Sequence, residues 1–351
     1  IELPQDGESV HLAKYAWILE DQSNVLTFKD VLQIPSLSET ENAFQSESDV
    51  PYMDFTTSTF WIELNVRNSE DDKKRFILEL ARPLTNQVDL YLLDDQNTLL
   101  KEFHTGDDFV FPIEFSSKSN YRILVRAKSD GEILKLPMKF WSTEGFTEFV
   151  SKENFFLGLY YGFISLVVVL FTFFGIALRE KIYFFFVSYV FIMGMFQLSL
   201  DGFAFEFLWP HSNYLGNHSI LIFAAISMLS LLAYANQFLE FYKEKKWFTS
   251  LYHLFFGLVC LLLITSFLKG WIYEITYPLL NGVSFIITTF FFVGIYLRYK
   301  SGHQPGIEVT LAFAFLWMGA ISFILSNVNI IESEFLATNS LKIASAIEIA
   351  F

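Results

Sequence analysis

The sequence predicts a membrane protein in two parts, an all-β antiparallel sandwich over residues 1–150 and an α-helical transmembrane bundle over 151–351. Three observations carry that prediction. The charge changes abruptly at Glu153: residues 1–153 hold 15 Lys/Arg against 28 Asp/Glu, and the remaining 198 residues hold 9 against 10. Apolar runs long enough to cross a bilayer fill the second part. The first part alternates apolar and polar residues with period two. With 53% hydrophobic and 18% charged residues, the 351-residue chain is too apolar for one soluble domain. Its single cysteine, Cys260, excludes a disulfide framework and a paired-cysteine zinc or redox site. The net charge of −14 argues against nucleic acid, which needs a basic face. The chain opens at Ile1 with no basic-then-apolar leader, so an exported first part implies a signal peptide removed or lying outside this sequence.

The β elements come first. Tyr15 to Lys29 is expected to hold a strand pair, and the Ser/Glu-rich stretch from Pro35 to Val50 a loop. Phe60, Ile62, Leu64 and Val66 alternate with Trp61, Glu63 and Asn65. Phe76, Leu78 and Leu80 repeat the pattern, as do Val88, Leu90 and Leu92 around Asp89 and Tyr91. Tyr121, Ile123 and Val125 alternate with Arg122, Leu124 and Arg126, and Leu134, Leu136, Met138 and Phe140 with Lys135 and Lys139. Turn residues separate them at 68–72, 94–97, 105–108 and 129–131. Such strands predict a sandwich with one face of each sheet buried and one wet.

The helices follow. Six runs, 154–178, 182–203, 215–239, 248–268, 275–297 and 306–331, are each long enough to span. A seventh starts at Phe335 and is still apolar at Phe351; seventeen residues make a short span, so this helix is expected to continue beyond the sequence. The loops after helices one, three and five hold Arg179, Lys181, Lys243, Lys245, Lys246, Arg298 and Lys300, and the alternate loops hold Lys269 alone. The bias places the first part outside and the end of helix seven inside.

Two sets of side chains are candidates for function. On the wet sheet faces, Trp61, Arg75, Tyr91, Arg122 and Arg126 offer aromatic platforms beside bidentate donors, a combination suited to a sugar or small anion. The plainer reading is cross-strand charge pairing. Within the spans, Gln197, Asp201, His218 and Asn281 stand out, because an intramembrane polar group is costly and marks either a site or a helix–helix contact. Their convergence on one cavity would favour a pore or an intramembrane ligand. The acidic turns at Asp71-Asp72, Asp94-Asp95 and Asp107-Asp108 are possible Ca²⁺ ligands without EF-hand spacing. No span carries a lysine at its centre suited to a retinal Schiff base; Lys342 lies about two turns into the seventh helix, on the outer side, and does not point to a chromophore. No clustered nucleophile, acid/base or metal set points to an enzyme.

The order of motifs resembles a known family. Tyr15-Ala16-Trp17-Ile18-Leu19-Glu20 and Leu26-Thr27-Phe28-Lys29-Asp30-Val31 are followed by Phe60-Trp61-Ile62-Glu63-Leu64 and Leu78-Glu79-Leu80-Ala81-Arg82-Pro83. Then come Val88-Asp89-Leu90-Tyr91-Leu92, Tyr121-Arg122-Ile123-Leu124-Val125-Arg126 and Leu136-Pro137-Met138-Lys139-Phe140-Trp141-Ser142, and a seven-helix module opened by Gly158-Leu159-Tyr160-Tyr161-Gly162. This is similar to the bacterial 7TMR-DISM receptors, seven-helix receptors with diverse intracellular signalling modules. The resemblance implies a jelly-roll-like outer domain related to carbohydrate-binding modules. It also implies a bacterial inner-membrane location and a cytoplasmic output of histidine-kinase, cyclase or phosphatase type after helix seven, absent here. Ile347-Glu348-Ile349 resembles the family's glutamate in that helix.

The expected function is therefore a transmembrane sensory receptor with an unidentified outer ligand, a cytoplasmic signalling partner and possible homodimerisation. The alternative is a transporter or channel component, which requires a polar path or broken half-helices; Pro278 is the lone proline in a predicted span. Residues 142–153 would form the short joint between the two parts.

Overall fold

A computed structural model describes residues 1–3, 9–80, 87–104, 110–128, 133–210, 212–302, 306–327, 330–331 and 333–351. The predicted turns at 105–108 and 129–131, with the Arg82-Pro83 step, lie outside the described residues. The chain divides into two units, Ile1–Asn154 and Phe155–Phe351.

The first unit contains β1 (Val10–His11), β2 (Trp17–Asp21), α1 (Phe28–Leu32), β3 (Ala43–Gln45), β4 (Tyr52–Phe55), β5 (Thr59–Asn68), β6 (Lys74–Leu80), β7 (Gln87–Asp94), β8 (Leu99–His104), β9 (Val110–Phe115), β10 (Ser119–Lys128), β11 (Ile133–Lys135) and β12 (Met138–Ser142). A six-stranded sheet runs β3-β2-β5-β10-β7-β8, a four-stranded sheet β1-β12-β6-β9, and β11 pairs with β4. These pairings are antiparallel. The predicted strand at 134–140 is two strands, because Pro137 has no N–H to give a ladder and breaks the run. Residues 15–29 hold one strand, not two: β2 finds its partners at β3 and β5.

The core is the sandwich filling. Ile62, Leu64 and Val66 of β5, Leu90 of β7 and Ile123 and Val125 of β10 meet Phe76 and Leu78 of β6, Ile113 and Phe115 of β9 and Phe140 of β12. Period-two alternation sends these residues to one side of each sheet. The other side of the six-stranded sheet departs from expectation. It is buried too, by residues 26–43: Val31 of α1 and Leu37 pack on Leu19, Trp61, Tyr91, Leu93 and Leu124. The expected wet face is apolar at its centre, so a covering segment removes it from water. Thr27 caps α1 in a reciprocal capping box with Asp30.

The second unit is helical. α2 (Thr143–Leu178) begins in the first unit, so the expected joint is helix from Thr143 on. It is followed by α3 (Lys181–Leu200), α4 (Asn213–Phe238), α5 (Lys246–Thr265), α6 (Trp271–Lys300), α7 (Ile307–Asn327) and α8 (Glu334–Ala350). Among the described residues, six helices, α2 to α7, are long and apolar enough to cross a membrane. α8 has 17 residues and packs on α7 where Gly319 leaves room for Ala344 and the Ser340 carbonyl, a place any Cβ would fill. α3 stops at Asp201 because Gly202 takes φ +82°, the left-handed conformation that closes a helix.

Candidate functional site

The polar groups of the second unit collect on α8. Lys342, Ser345 and Glu348 are spaced three apart, so they lie along one stripe of the helix. Lys342 Nζ stands 2.6 Å from Asp201 Oδ1, with side chains 8% and 6% exposed. Tyr161 of α2 donates its hydroxyl to Asp201 Oδ2 at 2.6 Å. Three residues on, Ser345 and Tyr160 of α2 share a hydroxyl–hydroxyl bond of 3.0 Å. Three further on, Glu348, 6% exposed, accepts a bond of 3.0 Å from Tyr189 of α3. Tyr189 stacks in parallel on Tyr234 of α4, centroids 6.2 Å apart. The stripe thus ties α8 to α2 and α3. A buried ion pair is a poor source of net stability, because desolvation offsets the Coulomb attraction. Its value is discrimination: α8 displaced from this seat leaves Asp201 and Lys342 each uncompensated in an apolar interior.

The four intramembrane candidates do not converge. Asp201 belongs to the stripe. Gln197, 1% exposed, lies one turn before Asp201 on the same face of α3, its amide Nε2 without a hydrogen-bond partner among the described residues. His218 lies elsewhere: its Nδ1–H donates to the Ser266 carbonyl at 2.8 Å between the rings of Tyr214 and Tyr273. Asn281 is half-buried on α6 and takes no part in these bonds. The partners that complete the site, Tyr160, Tyr161, Tyr189 and Ser345, carry no sequence signal as single residues. Spacing on α8 was the available clue.

The sheet candidates are split by the fold. Trp61 is 0% exposed and Tyr91 7%, covered by residues 26–43, with Phe28 stacked 4.1 Å from Tyr91. They are therefore not open platforms, which corrects the expectation of a wet aromatic face. Burial, followed by the negative charges of Asp89 and Glu102, holds the Tyr91 hydroxyl above the ordinary phenol range. Arg122 is buried against Glu63, 3.2 Å away, and also donates to the Ile34 carbonyl and to Asn97. Glu63 accepts from the Leu37 N–H at 2.5 Å, from Ser36 and from Asn65. This pair latches the covering segment to the sheet. Arg126 faces Asp89 at 3.1 Å, directly across the β10–β7 ladder, and His104 meets the same carboxylate at 2.8 Å. Arg75 is on the other sheet, paired with Glu114 opposite it; the hydrogen bonds from Lys73 and Arg75 take the Glu114 carboxyl down to about 2.

Beside the Glu63–Arg122 latch an open groove of about 420 Å³ is lined by Ser36, Asn65, Arg67, Asp95, Asn97 and Asn120, among others. For Ca²⁺, no group of three or more His, Cys, Asp or Glu gathers among the described residues. Asp71 is paired with Lys118, and Asp94 is used by its own turn, accepting from the N–H groups of Gln96 and Thr98. Asp107-Asp108 lies outside the described residues.

Two family matches cover most of the chain. Residues 153–351 match the family described as 7TM diverse intracellular signalling, and residues 13–142 match 7TMR-DISM extracellular 2. No curated protein matches the chain. The membrane-capable helices make it a multi-pass membrane protein whose second unit has the lipid bilayer as its surroundings. Since the first match spans more than half of its residues, the chain belongs to the 7TM diverse intracellular signalling family of 7TMR-DISM receptors.

Proposed function

We propose that this chain is the sensing and relay portion of a bacterial inner-membrane receptor. Residues 1–150 lie outside and take a polar, carbohydrate-like ligand; residues 151–351 span the membrane; α8 hands the signal to a cytoplasmic module of kinase, cyclase or phosphatase type. The observation that supports this best is the polar stripe on α8. It gives the last helix one preferred seat against α2 and α3, and a seat that can be lost is what a two-state relay needs. A ligand can bias such a seat only by its differential affinity for the two arrangements. With Trp61 and Tyr91 covered, the groove beside Arg122 and Asn97 is the better ligand surface of the sandwich.

The test places spin labels at exposed Lys181 and Ala350 in a Cys260→Ser background, in nanodiscs. Lys342→Met removes the charge that holds α8, and the α3–α8 distance distribution should shift from that of the parent. An unchanged distribution would sink the relay reading. Passive ion flux through proteoliposomes of the parent chain would instead favour the channel alternative.

A further inference from the structure

The stripe on α8 has one ionisable group too many. Lys342 is the cation at its first position, and it is committed to Asp201. Glu348, two turns away, has the Tyr189 hydroxyl at 3.0 Å as its hydrogen-bond partner and is almost wholly buried. Among the described residues, the neighbouring elements bring it no cation. α2 presents Tyr160 and Tyr161; α3 presents Tyr189, Gln197 and Asp201; α4 presents Tyr234. The ionisable residue of α7, Glu308, is exposed in that helix's first turn. Arg298 of α6 is held by Glu240 and Glu244. Asp201 and Lys342 together are neutral, so an ionised Glu348 would leave a net negative charge among tyrosine rings. One phenol donor does not replace the solvation that a carboxylate loses on burial. A carboxyl that keeps its proton avoids this cost and still offers Tyr189 its acceptor oxygen.

We infer that Glu348 is a proton-binding site: its carboxyl holds a proton while α8 is seated as here, and releasing that proton to water unseats α8 from α3. The second clause rests on the relay reading above; the first does not. Ionisation breaks the carboxyl O–H bond, the proton passes to water and the carboxylate remains. It then either draws Lys342 from Asp201 or moves with α8 toward water, and both disturb the stripe.

The experiment uses the full chain in nanodiscs, with labels at Lys181 and Ala350. Infrared spectra of the parent minus Glu348→Gln are recorded over a pH series, and the distance is read at each pH. The expected result is a protonated-carboxyl C=O band at neutral pH, absent from the variant, that is lost as pH rises while the distance shifts. Glu348→Gln, which keeps a neutral side chain of the same shape, should hold the distance at every pH. Tyr189→Phe should move the C=O band to higher frequency by removing its hydrogen bond. Carboxylate bands in place of the C=O band at neutral pH would overturn the inference and leave the relay reading to stand on Lys342→Met. A C=O band that titrates with no change in distance would overturn the unseating clause.

Discussion

At the scale of single residues, the consequences of burial are unequal. Removing Lys342 alone leaves Asp201 as an uncompensated buried charge, and Lys342→Met should destabilise the folded chain by about 3–5 kcal/mol. The double change Asp201→Asn with Lys342→Met should recover most of that loss, because the desolvation cost leaves with the pair. Denaturant titration in one detergent, compared across the three chains, checks both. His104 behaves differently because its ring is largely exposed. The hydrogen bond to Asp89 raises its pKa above the ordinary value of 6.5; desolvation opposes it, and the charges of Asp89 and Glu102 add to the rise. A raised histidine contributes stability that is complete below its unfolded pKa and is lost as pH rises through the folded one. The expected outcome is a His104 NMR titration midpoint above 6.5 that falls toward it in Asp89→Asn. Trp61→Ala, which would remove a platform on an open face, here hollows a core and should cost about 3–5 kcal/mol instead.

At the scale of elements, the covering segment is the feature that alters the reading of the sheet. Residues 26–43 lack a regular period, and α1 has five residues, so neither marks them as part of a core. Yet Val31 and Leu37 are fully buried, and the Leu37 N–H is bound by Glu63. Leu37→Ala should therefore destabilise the sandwich by about 2–5 kcal/mol. It should also raise acrylamide quenching of Trp61, read as the difference from the matching Trp61→Phe chain. Unchanged quenching would mean that the segment does not shield the sheet. The strands at 59–68 and 119–128 were legible because alternation is local. Their second burial was not, although Trp61, Tyr91, Leu93 and Leu124 lie on adjacent strands: only the registers Leu19↔Trp61 and Tyr91↔Leu124 set these residues in a stripe across the sheet.

At the scale of the whole molecule, the proposed orientation has a direct test. Single cysteines at Lys118, Lys181, Lys243 and Lys300, in a Cys260→Ser background, should react with an impermeant maleimide according to side. In intact spheroplasts only the Lys118 position should label; the other three should label after permeabilisation. Any loop position that labels alongside Lys118 would overturn the assigned orientation.

The division into a soluble and a membrane part, the six long spans and the loop charge bias are local or additive properties of the chain. Hydropathy over 20 residues and period-two alternation do not depend on what the segment packs against, so they could be read directly. The site could not. Asp201, Tyr189, Tyr160 and Glu348 are separated by up to 188 positions, and nothing in their spacing says that they share an interior. Helix packing decides which polar group meets which. It joined Asp201 to Lys342, gave His218 to a carbonyl, and gave Glu348 a phenol as its hydrogen-bond partner.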